Sequence, residues 1–375
     1  MKLNSIFILS FVDEYPIATK GGSIVNKNDF SRLKTAINHQ EPDRVPLVET
    51  VVDYSMQSEF LGKEVSSHDL ETRMEFWQKS GYDYIPLTLG IMQAGKLTSD
   101  SSIIQGLGIT EEFKKNDSIE ELSIIKTEKD FQRVDWEKIS EIDYSEFENI
   151  KEYLPTAMKV IAVSGKIFTL PWMLMGFEDF CESLYTAPKL VEKLIRKVSE
   201  IQISAIKNVI KLDQVGAIWL ADDLAFGSGL IVSPKHLKEY IYPVYKEIVS
   251  ICHHEDKLAF FHSDGQVEPI IEDIIEIGFD AIHPIDPNAE GLDIKDIKDR
   301  YGKDIAIFGN VDVQLLAEGS VEEVQASVHY LLKNIAPGGG YCLSSGNSVP
   351  GWAKLENYKM MLQTVLEDGK YPIKL

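Results

Sequence analysis

The chain has 375 residues, of which 44% are hydrophobic, so it is long enough to bury a large core. Its 38 basic and 59 acidic residues give a formal net charge of −21. A surface this acidic repels phosphate backbones and anionic lipids, which argues against nucleic acids and membrane surfaces as partners.

The chain starts with a segment that we interpret as an N-terminal extension, residues 1–27, ahead of a single domain over 28–375. The apolar stretch at 6–12 is short and has no small-residue cleavage site, which argues against a signal peptide. Cys181, Cys252 and Cys342 show no CxxC spacing, which is typical of a reducing compartment. The sequence therefore predicts a cytoplasmic protein.

Eight short apolar runs alternate with helical patterns from residue 44 onward. The runs cover residues 45–50, 82–89, 159–164, 216–222, 258–262, 281–284, 305–309 and 340–344. Their continuous apolarity indicates strands buried on both faces of a parallel sheet. Eight strand–helix repeats favour a (β/α)₈ TIM barrel over a doubly wound sheet.

The segments between the runs carry helical signals. Apolar residues recur at helical spacing over 191–209, and Ser233-Pro234 is typical of a helix start. Ser320 and Glu323 have the spacing of a capping box, and a final helix is predicted over 354–366. Residues 91–153, between the second and third strands, are predicted to form an insertion over the barrel mouth.

Polar side chains follow several successive predicted strands. In parallel α/β barrels the residues that end the strands face one mouth, where ligands bind. We therefore predict an active site there, with catalytic candidates His262, Asp264, Asp222 and Asp223. The predicted substrate-binding residues are Trp172, Met173, Asn310, Asp312, Asn347 and Glu49.

Two histidines beside carboxylates suggest a zinc site made by His262, His283 and Asp223, since imidazole and carboxylate are zinc ligands. Without a metal, His262 paired with a nearby aspartate is predicted to act as a general acid. Simpler interpretations stay open. Asp222 or Asp223 can cap the next segment and Asp312 can start a turn, while Trp172 and Met173 can belong to the core.

Several motifs resemble the uroporphyrinogen decarboxylase superfamily of barrels, over roughly residues 28–371. They are Glu41-Pro42-Asp43-Arg44-Val45-Pro46, Asp222-Asp223, His262-Ser263-Asp264-Gly265, Gly309-Asn310-Val311-Asp312 and Gly346-Asn347. The resemblance implies a TIM barrel with its active site at the mouth, and it leaves the activity to be decided by individual residues.

Two branches of that superfamily differ in the residues at the mouth. The decarboxylases carry an Arg-Gln-Ala-Gly-Arg motif after strand one and a histidine in the strand-eight loop. This chain has Glu49-Thr50-Val51-Val52-Asp53-Tyr54 and Asn347 instead, and only six arginines in all. A tetrapyrrole with several carboxylates needs such cations. The resemblance is therefore closer to the corrinoid-dependent methyltransferases, whose barrel docks a separate cobalamin-carrying protein.

Members that methylate coenzyme M bind zinc through His-x-Cys and a later cysteine. Here Asp264 stands in the place of the first cysteine. The resemblance thus implies a donor-side enzyme that moves a methyl group from an O- or N-methylated small molecule, a methoxy-aromatic being favoured, to the cobalt of a corrinoid protein.

Two alternatives stay open at this point. One is a decarboxylase of uroporphyrinogen or of a smaller acid, with Arg44 and lysines holding the carboxylate. The other is a non-catalytic barrel that binds a corrinoid or tetrapyrrole. The sequence also leaves open whether the protein forms a homodimer.

Overall fold

A parallel seven-stranded sheet organises the computed structural model, which describes residues 28–92 and 124–375. Its strands are β1 (Tyr84–Thr88), β2 (Lys159–Gly165), β3 (Val215–Ala221), β4 (Leu258–His262), β5 (Ala281–His283), β6 (Ala306–Phe308) and β7 (Tyr341–Cys342). Each strand pairs in parallel with the next one along the chain. All seven lie within or beside apolar runs predicted from the sequence.

The first predicted strand, 45–50, is not a regular strand, and that prediction is wrong. The segment 45–52 makes only isolated bridges, such as Leu47 to Leu343 beside β7. Pro46 has no N–H to give to a ladder. On its other side the Tyr84 hydroxyl accepts from the Glu49 N–H and donates to the Glu49 carbonyl, each at 2.6 Å. Segment 45–52 therefore contacts both edges of a curled sheet.

Helices occupy most of the remaining described chain. They are α1 (Phe30–Ile37), α2 (Tyr54–Leu61), α3 (Leu70–Lys79), α4 (Glu128–Arg133), α5 (Trp136–Ser140), α6 (Ser145–Asn149), α7 (Thr169–Met175), α8 (Phe177–Thr186), α9 (Pro188–Val209), α10 (Pro234–His236), α11 (Tyr242–His254), α12 (Ile271–Ile277), α13 (Ile294–Tyr301), α14 (Val313–Glu318), α15 (Val321–Asn334) and α16 (Leu355–Asp368). Short 3₁₀ turns cover Gly90–Met92, Ile150–Glu152 and Glu268–Ile270, and a π-helical turn, Leu237–Ile241, joins α10 to α11.

The helices begin and end where local chemistry favours it. Proline opens α9, whose predicted apolar stripe is buried along its length. Ser320 and Glu323 form the predicted capping box of α15. Gly278, with a φ of +100°, ends α12 in a left-handed conformation that glycine adopts without strain. These boundaries return the chain to each new strand.

The described part of the predicted insertion, 124–153, lies beside the outer helix α9. Tyr144 accepts from Asn208 at 2.8 Å, and the Phe147 carbonyl accepts from Gln214 at 2.6 Å. Tyr144 and Phe147 therefore lie against α9 and the loop after it rather than over the mouth, whereas Ile124 and Ile125 donate their N–H groups to the Leu174 carbonyl of α7. Residues 1–27 and 93–123, which include the predicted N-terminal extension, lie outside the described residues.

Aromatic side chains fill the interior of the curled sheet. Trp219, Phe260 and Phe308 meet edge to face, with centroid distances of 5.1–5.7 Å. The Trp219 ring also meets His283 edge to face at 5.0 Å, so the core forms a floor beneath that histidine. Within 28–92 and 124–375, no helix has both the length and the apolarity that a bilayer span requires. The three cysteines are free.

Candidate active site

Three predicted residues meet at the carboxyl ends of the strands: Asp223, His262 and Asp264. His262 ends β4, while Asp223 and Asp264 follow β3 and β4 by two residues each. Because Ala221 and His262 are partners in the parallel pairing, the two loops start side by side. One ligand atom from each residue lies within 4.8 Å of the others. We call these three residues the acidic–histidine cluster.

The two carboxylates of the cluster face the same imidazole nitrogen. His262 Nε2 lies 3.6 Å from Asp223 Oδ1 and 3.7 Å from Asp264 Oδ1. Burial raises the pKa of Asp223, but the positive charges of His262 and Lys166 outweigh it and hold that pKa below its ordinary value. Burial raises the pKa of Asp264, and there it prevails over the charge of His262. Asp223 is therefore the more readily ionised of the pair.

The cluster fits a divalent cation. Asp264 Oδ1 is buried and has no hydrogen-bond partner in the described part of the chain, while Asp264 Oδ2 accepts from Asn347 Nδ2 at 2.6 Å. A buried carboxylate oxygen without a donor is costly unless a cation or proton meets it. One imidazole nitrogen and two carboxylate oxygens form a ligand set that zinc accepts, with a fourth position left for substrate.

His283 lies behind the cluster rather than in it. It is fully buried, and its Nδ1 lies 2.7 Å from Nδ1 of His262. One of the two nitrogens must carry the hydrogen and the other accept it. Burial, together with the charge of His262, lowers the pKa of His283 well below its ordinary range. His283 therefore fixes the His262 ring with Nε2 towards the carboxylates, and Asp264 takes its place in the candidate ligand set.

Asp222 stabilises the fold around the cluster through buried hydrogen bonds. It is fully buried and accepts from the Phe168 and Thr169 N–H groups, the Thr169 hydroxyl and the Tyr245 hydroxyl at 2.7–2.9 Å. Burial raises its pKa, and the bonds from Thr169 and Phe168 oppose that rise. The geometry favours the capping interpretation, in which Asp222 holds the start of α7 against β3.

Glu49 also acts from behind the site. It is fully buried, and its two oxygens accept from the Ser345 N–H at 2.6 Å and the Ser345 hydroxyl at 2.8 Å. Burial raises the pKa of Glu49 to about 8, although both bonds from Ser345 oppose the rise. It anchors the loop after β7, and the same loop carries Asn347 to Asp264.

The remaining predicted residues lie in neighbouring loops. Asn310 donates to the Ile285 carbonyl at 2.6 Å. Asp312 accepts from the Gln314 N–H at 2.8 Å at the start of α14. Both therefore hold turns, as the simpler interpretation of Asp312 predicts.

Trp172 and Met173 lie on α7 and are half-buried. The Trp172 ring meets Phe177 edge to face at 5.7 Å, and Phe177 in turn meets Phe226 at 5.7 Å. The predicted apolar surface thus extends to residues beyond the two that the sequence singled out.

Sequence reasoning missed one cation at the site. Lys166 follows β2 directly, and its Nζ lies 3.4 Å from Asp223 Oδ2. It has a φ of +60°, which is uncommon for a residue with a side chain and occurs often at functional sites. Its position just after a buried strand is the signal that could have identified it.

The arginines lie elsewhere. Arg44 is buried at the amino end of β1, where it donates to the carbonyls of Val45 and Gly81 at 3.1 and 2.8 Å and pairs with Asp83 at 3.6 Å. Among the described residues, no arginine contacts the acidic–histidine cluster. The prediction that Arg44 holds a substrate carboxylate is therefore wrong, because its charge is already matched inside the fold.

Comparisons with known proteins agree with this architecture. The model of the Uroporphyrinogen decarboxylase (URO-D) family matches residues 28–367. A uroporphyrinogen decarboxylase of Neisseria meningitidis serogroup C is 26% identical over 253 residues, and one of Neisseria gonorrhoeae is 25% identical. Each match covers 62% of this chain and 65% of the relative, so the chain spans just under two thirds of their length.

A solved structure also matches closely in fold. A methyltransferase from Methanosarcina mazei superposes with a TM-score of 0.63 at 16% identity, over 94% of this chain and 98% of that one. At this identity the likeness shows a shared fold.

Proposed function

Because this chain belongs to the uroporphyrinogen decarboxylase (URO-D) family, we propose that it is a corrinoid-dependent methyltransferase. It takes a methyl group from an O- or N-methylated small molecule and passes it to the cobalt of a partner corrinoid protein. The observation that carries the proposal is the acidic–histidine cluster at the carboxyl ends of the strands, with its buried Asp264 oxygen left without a donor.

The charges around the cluster favour methyl transfer over decarboxylation. Lys166 is the one side-chain cation other than His262 that pairs with the cluster among the described residues, and it already lies beside Asp223. A polycarboxylate substrate would meet carboxylates where it needs guanidinium groups. The family also contains decarboxylases, as the names of the curated relatives say, so a decarboxylase is the second candidate.

In the proposed reaction the chain's own residues help the leaving group depart. The bond from the methyl carbon to oxygen or nitrogen breaks, and the heteroatom keeps the electron pair. In a metal-free form, His262 Nε2 and the Asp264 carboxyl, 3.7 Å apart, would be the groups that give a proton to that heteroatom. A zinc ion bound by Asp223, His262 and Asp264 would supply Lewis acidity there, and the partner's corrinoid would supply the nucleophile.

Buried residues behind the cluster keep it in place. His283 orients the His262 ring, Asp222 ties β3 to α7, and Glu49 fixes the loop that carries Asn347. We further propose that segment 45–52, although not a regular strand, closes the ring between β7 and β1, that residues 28–375 form one TIM-barrel domain, and that the enzyme works in the cytoplasm. The bridges from segment 45–52 to residues just after β7 support the closed ring.

The test uses the purified chain. We expect about one equivalent of zinc by elemental analysis. We also expect methyl transfer from a methoxy-aromatic or a methylamine to a reduced corrinoid protein. The absorbance change of the corrinoid measures this transfer.

Two outcomes would overturn the proposal. Carbon dioxide release from an added acid without corrinoid would favour the decarboxylase. No turnover of any donor, together with tight binding of free cobalamin or a porphyrin, would favour a non-catalytic carrier.

A further inference from the structure

An aromatic surface extends from α7 to a small hairpin beside the active site. The hairpin pairs Ala225–Phe226 with Gly229–Leu230, and Phe226 at its turn is 53% exposed. The Phe177 ring meets Trp172 on one side and Phe226 on the other, both edge to face, with centroid distances of 5.7 Å. We call these three residues the aromatic ladder. A large aromatic ring left half in water is a candidate contact for a ligand.

The aromatic ladder is tied to the loops that carry the acidic–histidine cluster. Phe226 follows Asp223 by three residues, so their Cα atoms lie within about 11 Å of each other. The Phe226 carbonyl accepts from the Gln266 N–H at 2.8 Å, which joins the hairpin to the loop of Asp264. The hairpin of Phe226 and the loops of Asp223 and Asp264 are therefore neighbours.

The electrostatics of this region disfavour a negative charge on such a ring. Asp223, Asp264 and Asp286 lie in adjoining loops, and Asp286 receives only the Gly265 N–H and the Asn288 N–H among its hydrogen bonds. The Lys166 ammonium already pairs with Asp223. Asp286 lies outside the acidic–histidine cluster and pairs with no cation among the described residues, so its negative charge would remain with or without a metal at the cluster. A benzoate would meet that charge, whereas the edge-to-face contacts of the ladder suit a neutral ring.

The leaving group narrows the class of methyl donor further. A quaternary ammonium donor releases a neutral amine, which needs no proton. An aryl methyl ether releases a phenolate, which a proton donor or Lewis acid stabilises. The cluster offers that assistance, so the neighbouring aromatic ladder and the cluster together point to an aryl ether.

We propose, resting on the proposed function, that the aromatic ladder is the subsite for the ring of an uncharged methoxyphenol and that the adjacent Asp286 carboxylate selects against methoxybenzoates. The methyl–oxygen bond breaks and the methyl group goes to the nucleophilic cobalt(I) of the partner's corrinoid, which supplies both electrons of the new bond. The ether oxygen keeps its bonding pair and takes up one proton, from His262 or Asp264 when no metal is bound and from solvent when zinc occupies the cluster, which leaves a dihydroxybenzene.

The test measures binding without corrinoid, by calorimetry on the full chain. The probes are 3-methoxyphenol and 3-methoxybenzoate, which differ in one charged group. We expect the phenol to bind about tenfold or more tightly than the benzoate, because one uncompensated charge contact has at least that effect. Phe226→Leu should weaken binding of the phenol about 3- to 10-fold. Tyr185→Leu, which removes a 75% exposed aromatic ring from α8, should leave it unchanged.

The outcomes separate the subsite from the reaction. Equal binding of both probes, no binding of either, or an unchanged dissociation constant in Phe226→Leu would overturn the aromatic subsite, even if methyl transfer were observed. Binding that Phe226→Leu weakens, in a protein that transfers no methyl group from any donor, would support the subsite and overturn the proposed function.

Discussion

The two ends of the curled sheet hold buried charges in opposite ways. At the amino end, Arg32 pairs with Asp43 at 2.5 Å and also with Asp83, which Arg44 approaches to 3.6 Å. Two cations there meet two carboxylates. At the carboxyl end, Asp223 and Asp264 face one imidazole, His262, and the single lysine there, Lys166, pairs with Asp223 alone. Each end also has one buried carboxylate oxygen without a donor among the described residues, on Asp83 and on Asp264.

This difference separates stability from function. A matched group of buried charges gains from excellent geometry, and removing one member leaves the others uncompensated. An unmatched group is costly to the fold, and such groups persist where a ligand, metal or proton completes them. In TIM barrels, which a curled parallel sheet of this kind resembles, the amino end supports the fold and the carboxyl end carries the chemistry.

The largest expected effect concerns the amino end. Asp83→Ala leaves Arg32 and Arg44 buried without their shared carboxylate, so the free energy of unfolding should fall by about 3–5 kcal/mol. Urea denaturation measures this, with Asp368→Ala, which removes a half-exposed pair with His329, as a control near 0–1 kcal/mol. Methyl transfer per folded molecule should stay unchanged. If Asp83→Ala loses no more stability than Asp368→Ala, the charges at the amino end do not stabilise the fold in the way proposed.

His262→Ala tests the carboxyl end in the same terms. We expect methyl transfer to fall by at least ~10²-fold, because the substitution removes the imidazole that would donate a proton or bind the metal. The circular dichroism spectrum should stay the same. His254→Ala, at an 83% exposed side chain on α11, is the matched control and should keep full turnover. Near-normal turnover of His262→Ala would remove His262 from the mechanism.

The buried histidine behind the site should matter through orientation. His283→Phe removes the nitrogen that meets His262 Nδ1 and keeps an aromatic ring over Trp219, so zinc affinity should fall about 10- to 100-fold. A competition titration against a chelator measures the change. His283→Gln, which keeps a polar partner, should recover part of the loss. Equal zinc affinity in all three proteins would show that His283 only fills space.

The pH dependence of the free energy of unfolding tests the role of the buried Glu49. Burial raises its folded-state pKa from 4.5 to about 8, so between these values the folded chain holds a proton that the unfolded chain releases. Stability from this group is therefore complete below about pH 4.5 and falls as pH rises towards 8, at no more than about 1.4 kcal/mol per pH unit. Unfolding measured from pH 5 to 8 should show a shallower decline in Glu49→Gln. Identical slopes in the two proteins would contradict a neutral Glu49 in the folded state.

Much of the fold follows from local patterns that the sequence displays. Continuous apolar runs mark all seven sheet strands to within two residues at either end, because strands covered on both faces need apolar side chains at every position. The stripe of α9 and the capping box of α15 also follow from spacing alone. The strand prediction for 45–50 was wrong because an apolar pattern does not show which backbone groups have a partner on a neighbouring strand. Pro46 has no N–H to donate, and the Glu49 N–H and carbonyl bond to the Tyr84 hydroxyl instead.

The candidate site divides in the same way. The sequence by itself determined that carboxylates, histidines and an asparagine follow successive strands, since residues that end parallel strands share one face. Only the tertiary structure decided which of them meet: Asp264 rather than His283 joins Asp223 and His262, Lys166 enters from β2, and Asp222 and Glu49 turn inward to hold the loops. The reason is physical, because strand order sets which loops are neighbours, while burial and competing hydrogen bonds set where each side chain points.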